Sequence, residues 1–284
     1  MLSRGFKLFA LVAVCALATP LVRSLGDFDG TSVPSPSGKL LPAEAQWQKL
    51  AEADPLAALE ASIQRYRRDV QSFTALFCKQ ERIGGKLRPE ETIRVAFRDE
   101  PYAVWMMWIT GGGTASATVY ARGENEGKML VQVPVLGARP TDPRGFLPRQ
   151  SARYSIEEFG LVQSSKRTLA AWKAMSVRGE LKTEYLGRKA IPQLDGQVCH
   201  VIRRHCPTDE IDAYAPGDDN AVSAKNQTDA FRSVTIYLHA ESWLQLGTEL
   251  RREDGELAGA YWFRELVPNP KLPANQFTAA AMKK

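Results

Sequence analysis

Apolar and polar positions alternate along much of this chain, and one stretch breaks the alternation. Successive strand residues point to opposite faces of a sheet. Phe73, Ala75 and Phe77 alternate with Thr74, Leu76 and Cys78 in a run reaching Ile83, and Gly84-Gly85 supplies a hairpin turn. Ile93, Val95 and Phe97 alternate with Arg94, Ala96 and Arg98 in the return strand. The run Tyr102-Ala-Val-Trp-Met-Met-Trp-Ile109 then has Tyr102, Val104, Met106 and Trp108 on one side, and Ala103, Trp105, Met107 and Ile109 on the other. A strand with one wet face would show polar residues on that side. Both faces here need cover, one from a core and the other from a helix, another subunit or an apolar ligand.

The remaining pattern gives the other elements. Asp54-Pro55 starts a helix, with Asp as N-cap and Pro in the first turn, and Leu56, Leu59, Ile63, Tyr66 and Val70 form its apolar stripe. Thr118 to Arg122 and Lys128 to Val133 form a further hairpin around Gly123-Glu-Asn-Glu-Gly127. Pro134 to Arg149, with four prolines, reads as loop. Ile156 to Val177 is helical, with Leu169, Trp172 and Met175 inward. Strands resume at Leu181 to Arg188, Gln197 to His205, Phe231 to His239, Leu244 to Arg251 and Leu257 to Val267. The acidic stretch from Pro207 to Ala230 is an excursion from the sheet. Short turns between consecutive strands favour antiparallel pairing. The expected fold is α+β: a curved antiparallel half-barrel of about ten strands, wrapped around or capped by helices, forming a single domain over residues 43–284.

The N-terminus changes how charge and cysteine are read. Arg4 and Lys7 precede an apolar run from Leu8 to Leu17, and Ala16-Leu-Ala18 offers a small-x-small cleavage site. Residues 1–25 read as a signal peptide or retained anchor, and residues 26–42, rich in Gly, Ser and Pro, as a linker. The run is short for a spanning helix, which needs about 20 apolar residues. Removing residues 1–25 takes away three cations and no acid, lowering the net charge from +5 to +2. No dense Lys/Arg block marks a nucleic-acid face. Arg65, Arg67 and Arg68 read as the solvated side of a helix. An exported chain meets oxidising conditions, where two of the remaining three cysteines can pair, as Cys78 with Cys199 or Cys206, leaving one odd thiol; a purely structural role for them is the alternative.

Ser72 to Arg82, followed by Gly84-Gly-Lys-Leu87, resembles the first strand and hairpin of the periplasmic lipoprotein carriers and their lipoprotein-sorting relatives. Tyr261-Trp-Phe-Arg-Glu-Leu266, then Asn269, Leu272 and Phe277, resembles that group's closing strand and the turn to a final Phe. Gln80 through Pro101, with Val119 to Lys128, is similar to the core of an uncharacterised secreted family found mainly in planctomycete-type bacteria. The resemblance spans roughly residues 55–278 and implies a half-barrel with a helical lid over an apolar cavity that takes acyl chains. It carries no binding residue across.

Catalytic chemistry is hard to find. Cys199-His200 and His205-Cys206 suggest zinc or thiol chemistry. Same-face pairs in that strand lie about 20 Å apart at roughly 3.3 Å per residue, so four ligands cannot converge from it. Asp209, Asp212, Asp218 and Asp219 lack the spacing of a calcium loop. No nucleophile elbow, zinc-protease helix or phosphate loop occurs. His239 reads as a surface or capping residue. No catalytic residue, metal or cofactor is expected.

The expected function is that of an exported, non-enzymatic binding protein of the periplasm or cell envelope. Phe77, Val104, Trp105, Met106, Trp108 and Trp262 are the candidate walls of an apolar cavity for an acyl chain or a lipidated protein. The alternative is a structural or protein-interaction module with a filled core and another envelope protein as partner. A metal- or thiol-dependent enzyme comes third. Membrane association is expected only through a retained N-terminus.

Overall fold

The computed structural model describes residues 44–210 and 229–282. The leader, anchor and linker readings of residues 1–42, and most of the acidic excursion, lie outside the described residues. Two helices come first, α1 (Glu44–Ala53) and α2 (Pro55–Asp69). Seven strands follow: β1 (Ser72–Ile83), β2 (Lys86–Leu87), β3 (Glu91–Arg98), β4 (Ala103–Thr110), β5 (Ala117–Ala121), β6 (Met129–Val133) and β7 (Gly137–Thr141). Then come α3 (Phe146–Ser151) and α4 (Leu161–Val177). A second run of strands closes the fold: β8 (Lys182–Ile191), β9 (Gln197–Glu210), β10 (Phe231–His239), β11 (Gln245–Arg251) and β12 (Leu257–Pro268).

All twelve strands form one open, curved antiparallel sheet. Its order is β7-β6-β5-β4-β3-β1-β12-β11-β10-β9-β8, with the short β2 paired to β1. Two meanders meet where β12 pairs with β1, setting Phe77 opposite Phe263 and Cys78 opposite Trp262. The expected ten strands become twelve because β2 is two residues long and β7 sits where four prolines suggested a loop. Pro140 is tolerated in β7 because β7 is an edge strand, where a missing N–H breaks no central ladder.

The helices lie on the concave side. Asp54 caps α2 by accepting from the Ala57 N–H at 3.0 Å, and Ala58, Leu59, Ser62, Ile63 and Tyr66 are buried along one stripe. Burial of each large apolar side chain there stabilises the helix by about 1.5–3 kcal/mol. Arg65 is not solvated as expected: it is buried, with its guanidinium 4.4 Å from the centre of the Trp243 ring. Trp243 in turn stacks on Trp47 of α1 at 5.1 Å. Gly160 precedes α4 with φ +124, and a Cβ there would meet the Phe97 ring at 3.0 Å, so a larger residue would strain this entry.

β4 is the two-faced strand, and each face has its own cover. Tyr102, Val104, Met106 and Trp108 point to the concave core with α1, α2 and α4. On the outer face, Trp105 packs with Ala96, Ala117, Val119 and Met282, joined by Leu272, Phe277 and Ala281. The outer cover is therefore segment 269–282 rather than the helical segment 156–177. Trp105 Nε1 donates to the Ala281 carbonyl at 3.0 Å, and the Arg98 guanidinium lies 4.9 Å from the Phe277 ring centre. Asn269 anchors the segment's start: its side-chain carbonyl accepts from the Gln71 N–H at 2.8 Å, and its NH2 donates to the Asp69 carbonyl at 2.7 Å.

Neither candidate disulfide is formed; Cys78, Cys199 and Cys206 are all free and buried. Cys78 lies on β1 and the other two on β9, with β12, β11 and β10 between. Four strand spacings of about 4.8 Å along the sheet far exceed the Cα separation of roughly 5–6 Å that a disulfide spans. Strand pairing fixes this distance, and sequence spacing does not reveal it.

Candidate concave-face cavity

The helices fill only part of the concave face. A cavity of about 1010 Å³ remains between β1, β3–β7 and β9–β12 on one side and the segment from α3 into α4 on the other. Phe77, Ile93, Met106, Trp108, Phe159 and Phe263 supply apolar wall. Phe77 is the centre of an aromatic group, 5.1 Å from Phe159 edge-on and 4.9 Å from Phe263. The Tyr102 hydroxyl donates to the Ile156 carbonyl at 2.6 Å and lies 3.1 Å from that of Phe159. Those bonds hold the Phe159 segment over the sheet.

The six expected wall residues divide by face. Phe77, Met106 and Trp108 line the cavity. Val104 shares their face but is fully buried in the core. Trp105 lies on the outer face under segment 269–282. Trp262 pairs with Cys78, so it points away from Phe77 and Phe263, and it packs on Tyr237 with ring centres 4.8 Å apart. Both corrections have the same cause: the two-residue period separates the sides of a strand without saying which side is inside.

The sequence reading missed a polar cluster in the wall. Lys79 and Glu81 follow Phe77 at two-residue spacing, so they share its inward face. Lys79 Nζ lies 3.0 Å from Glu81 and 3.2 Å from Glu91. Glu81 also accepts from the Tyr261 hydroxyl at 2.8 Å and the Arg153 N–H at 3.3 Å. Trp108 Nε1 donates to Glu91 at 2.6 Å. Burial alone would depress the Lys79 pKa, but the two carboxylates outweigh it and the net shift is upward. Burial pushes Glu81 up, and Lys79, Tyr261 and the Arg153 N–H outweigh that, so its pKa is lowered. Both groups are held charged, which suits neither a neutral amine nucleophile nor a carboxylic acid proton donor.

The thiols and histidines are also quiet. Burial pushes the Cys199 and Cys206 thiols up to about 12, far from thiolate at neutral pH. His200 Nδ1 sits 2.7 Å from the Tyr185 hydroxyl, with the Trp47 ring edge-on to its imidazole. Burial, then the charge of Arg188, lowers its pKa to about 4. His239 is buried and holds the turn after β10, with Nδ1 3.0 Å from the Ser242 hydroxyl. Asp209 pairs with Arg232 at 3.1 Å, whereas Asp212, Asp218 and Asp219 lie outside the described residues. Among the described residues, no group of three or more His, Cys, Asp or Glu side chains is placed to hold a metal ion.

The model of the family described as "Protein of unknown function (DUF1571)" matches residues 70–283. This chain belongs to the DUF1571 family. The match begins at the end of α2 and takes in the whole sheet and all of segment 269–282. The chain is also similar to small ribosomal subunit protein uS2 of Salinispora arenicola, 27% identical over 203 residues, covering 66% of this chain and 69% of that protein. Among solved structures, the DUF1571 chain is similar to one described as a "putative outer membrane lipoprotein-sorting protein domain from Vibrio parahaemolyticus", with 11% identity, TM-score 0.36, and 80% and 98% of the two chains covered. It is also similar to a chain of the Pseudomonas aeruginosa MucA/MucB complex, with 14% identity and TM-score 0.42. That likeness covers 80% of this chain but only 62% of the other. These likenesses are too distant to carry a residue or a role across.

Proposed function

We propose that this DUF1571 protein is an exported, non-enzymatic carrier that holds an acyl chain, free or attached to a protein, in the concave-face cavity. The observation that carries this reading is the cavity of about 1010 Å³, with Phe77, Met106, Phe159 and Phe263 in its wall. Burying a methylene contributes about 0.8 kcal/mol, so roughly ten would contribute about 8 kcal/mol before the cost of immobilising the ligand. Reversible capture then needs no covalent chemistry. Each carboxylate in the wall is paired with a cation, which supports a binding role over a catalytic one. The export pattern of residues 1–25 supports an envelope location.

Titrating the full chain with a fluorescent fatty-acid probe tests the reading. Saturable binding with a change in Trp emission is expected, because Trp108 lines the cavity. Ala171→Trp, on the α4 side of the same cavity, should weaken binding at least tenfold while leaving the melting temperature in place. Absence of saturable binding together with unchanged Trp emission would sink the proposal.

A second reading, a protein-interaction module of the envelope, draws on exposed apolar residues beside the cavity. Val135 and Leu136 at the β6–β7 turn, with Phe146 and Leu147 in α3, all face solvent. A stable complex recovered from envelope extract, lost in Val135→Ser/Leu136→Ser, would favour it; recovery unchanged by that variant would count against it.

A further inference from the structure

The strand registers set two rows of side chains next to each other on the concave face. Phe263, Phe77, Ile93 and Trp108 stand side by side on β12, β1, β3 and β4. Two residues along, Tyr261, Lys79 and Glu91 stand side by side on β12, β1 and β3. Two residues of a strand span roughly 7 Å, so the apolar row and the polar row are neighbours. All seven residues line the cavity. Lys79 is the centre of the polar row, and its side chain is only 10% exposed. An ammonium has three N–H donors. Glu81 and Glu91, at 3.0 and 3.2 Å, are its partners among the described residues, which leaves one donor for what the cavity holds.

We propose that the Lys79 cluster is a head-group subsite for an uncharged acyl carbonyl, an ester or an amide, whose chain lies along Phe263, Phe77, Ile93 and Trp108. This rests on the carrier reading above and chooses between its two occupants: the chain is held in ester or amide linkage rather than as a free acid. The spare Lys79 N–H donates to the carbonyl oxygen, and a hydrogen bond from a charged donor is stronger than a neutral one. A carboxylate head brought to the same atom would meet Glu81 and Glu91, both within 3.2 Å of that ammonium. Like charges in one buried site oppose each other, and Glu81 is held ionised there by Lys79, Tyr261 and the Arg153 N–H. An uncharged carbonyl also sheds less hydration on entry than an ionised acid. The shared ligand chemistry is an apolar chain ending in a neutral carbonyl, which an N-acylated peptide and an acylglycerol both carry.

The test titrates the full chain with four probes of matched length: an ω-dansyl fatty acid, its methyl ester, its N-methyl amide and a dansyl alkane with no head. At neutral pH the ester and the amide should bind about tenfold tighter than the ionised acid. Any apolar cavity disfavours an ion, so the variants decide the assignment. In Glu91→Gln the acid should gain about fivefold on the ester, since one opposing carboxylate is gone. In Lys79→Met/Glu91→Gln the ester should lose about fivefold relative to the alkane, the loss of one hydrogen bond from a charged donor. Glu81 keeps the Tyr261 hydroxyl and the Arg153 N–H in that variant. Saturable alkane binding shows that a variant is folded, and the Glu91→Gln result stands by itself if the double variant is not. An ester-to-acid preference untouched in Glu91→Gln would overturn the subsite, as would ester and alkane weakening in step in the double variant. Ester and amide then separate sources: a tighter amide, whose N–H can donate to a carboxylate, supports an N-acylated peptide, and a tighter ester supports an acylglycerol. Equal binding of acid and ester by the unmodified chain would overturn the subsite and leave the carrier reading standing. If no probe binds, the carrier reading fails and this one with it.

Discussion

The two faces of β4 carry nearly the same chemistry and end differently. Trp105 and Met107 on the outside, and Met106 and Trp108 on the inside, are neighbours on one strand. Outside, segment 269–282 lays Phe277, Ala281 and Met282 over the apolar patch and accepts the Trp105 indole hydrogen bond. Inside, α4 and the Phe159 segment cover the strand incompletely and leave about 1010 Å³ of space. A two-faced apolar strand therefore announces two covers, and only distant parts of the chain decide whether a cover is tight.

The contrast predicts different costs on the two faces. Trp105→Ala should destabilise the protein by about 3–5 kcal/mol in urea unfolding, the range for truncating a buried aromatic residue. Probe affinity in the folded fraction should stay unchanged. A weakened probe with unchanged stability would break the distinction between the faces. The filled end of the concave side, around Trp47, Trp243 and His200, should behave like the outer face and depend on pH. His200 is held near pKa 4 when folded and rises to its ordinary value when unfolded. Its contribution is fully present above about pH 6.5 and is lost as pH falls through about 4, amounting to at most about 3 kcal/mol. Melting temperatures of the unmodified chain and His200→Gln should converge as pH drops over that window; parallel curves would refute the assignment.

Smaller effects belong to the open side. Trp108→Phe removes one donor to Glu91, which keeps Lys79, and should cost about 1 kcal/mol. It should also reduce the change in Trp emission on probe binding, and an undiminished change would move the probe elsewhere. Val135 holds φ +69 with its side chain in solvent, a backbone state that strains a β-branched residue. Val135→Gly should therefore stabilise the fold by about 1 kcal/mol in thermal unfolding. A loss of stability there would show that the exposed turn makes contacts of its own.

Much of this fold is legible in local pattern. The Asp54-Pro55 start of α2, the Gly84-Gly85 turn and the alternation of β1 and β3 all follow from single-residue chemistry. The opposition of Val104, Met106 and Trp108 to Trp105 is visible too. What local pattern lacks is the parity of one strand relative to the next. Trp262 is a candidate wall residue from sequence, whereas pairing with β1 places Tyr261 and Phe263 inside and Trp262 outside. The Lys79–Glu81–Glu91 cluster was hidden for the same reason. Lys79 and Glu81 share a face by spacing, but Glu91 joins them only through the β1–β3 register. The cysteine pairing failed at a longer range still, because sheet order separates β1 from β9.

The pairing of β1 with β12 has a consequence for how the protein is made. Chains are synthesised from the N-terminus. β1 can find β3 almost at once, but its other edge has no partner until residues 257–268 exist. Through most of synthesis a long strand with buried aromatic positions presents an open row of N–H and C=O groups. Such an edge is a template for pairing with the wrong chain. The fold thus closes late, by its most non-local contact. A factor that shields the nascent β1 edge should raise the yield of folded protein more than any substitution within the second meander.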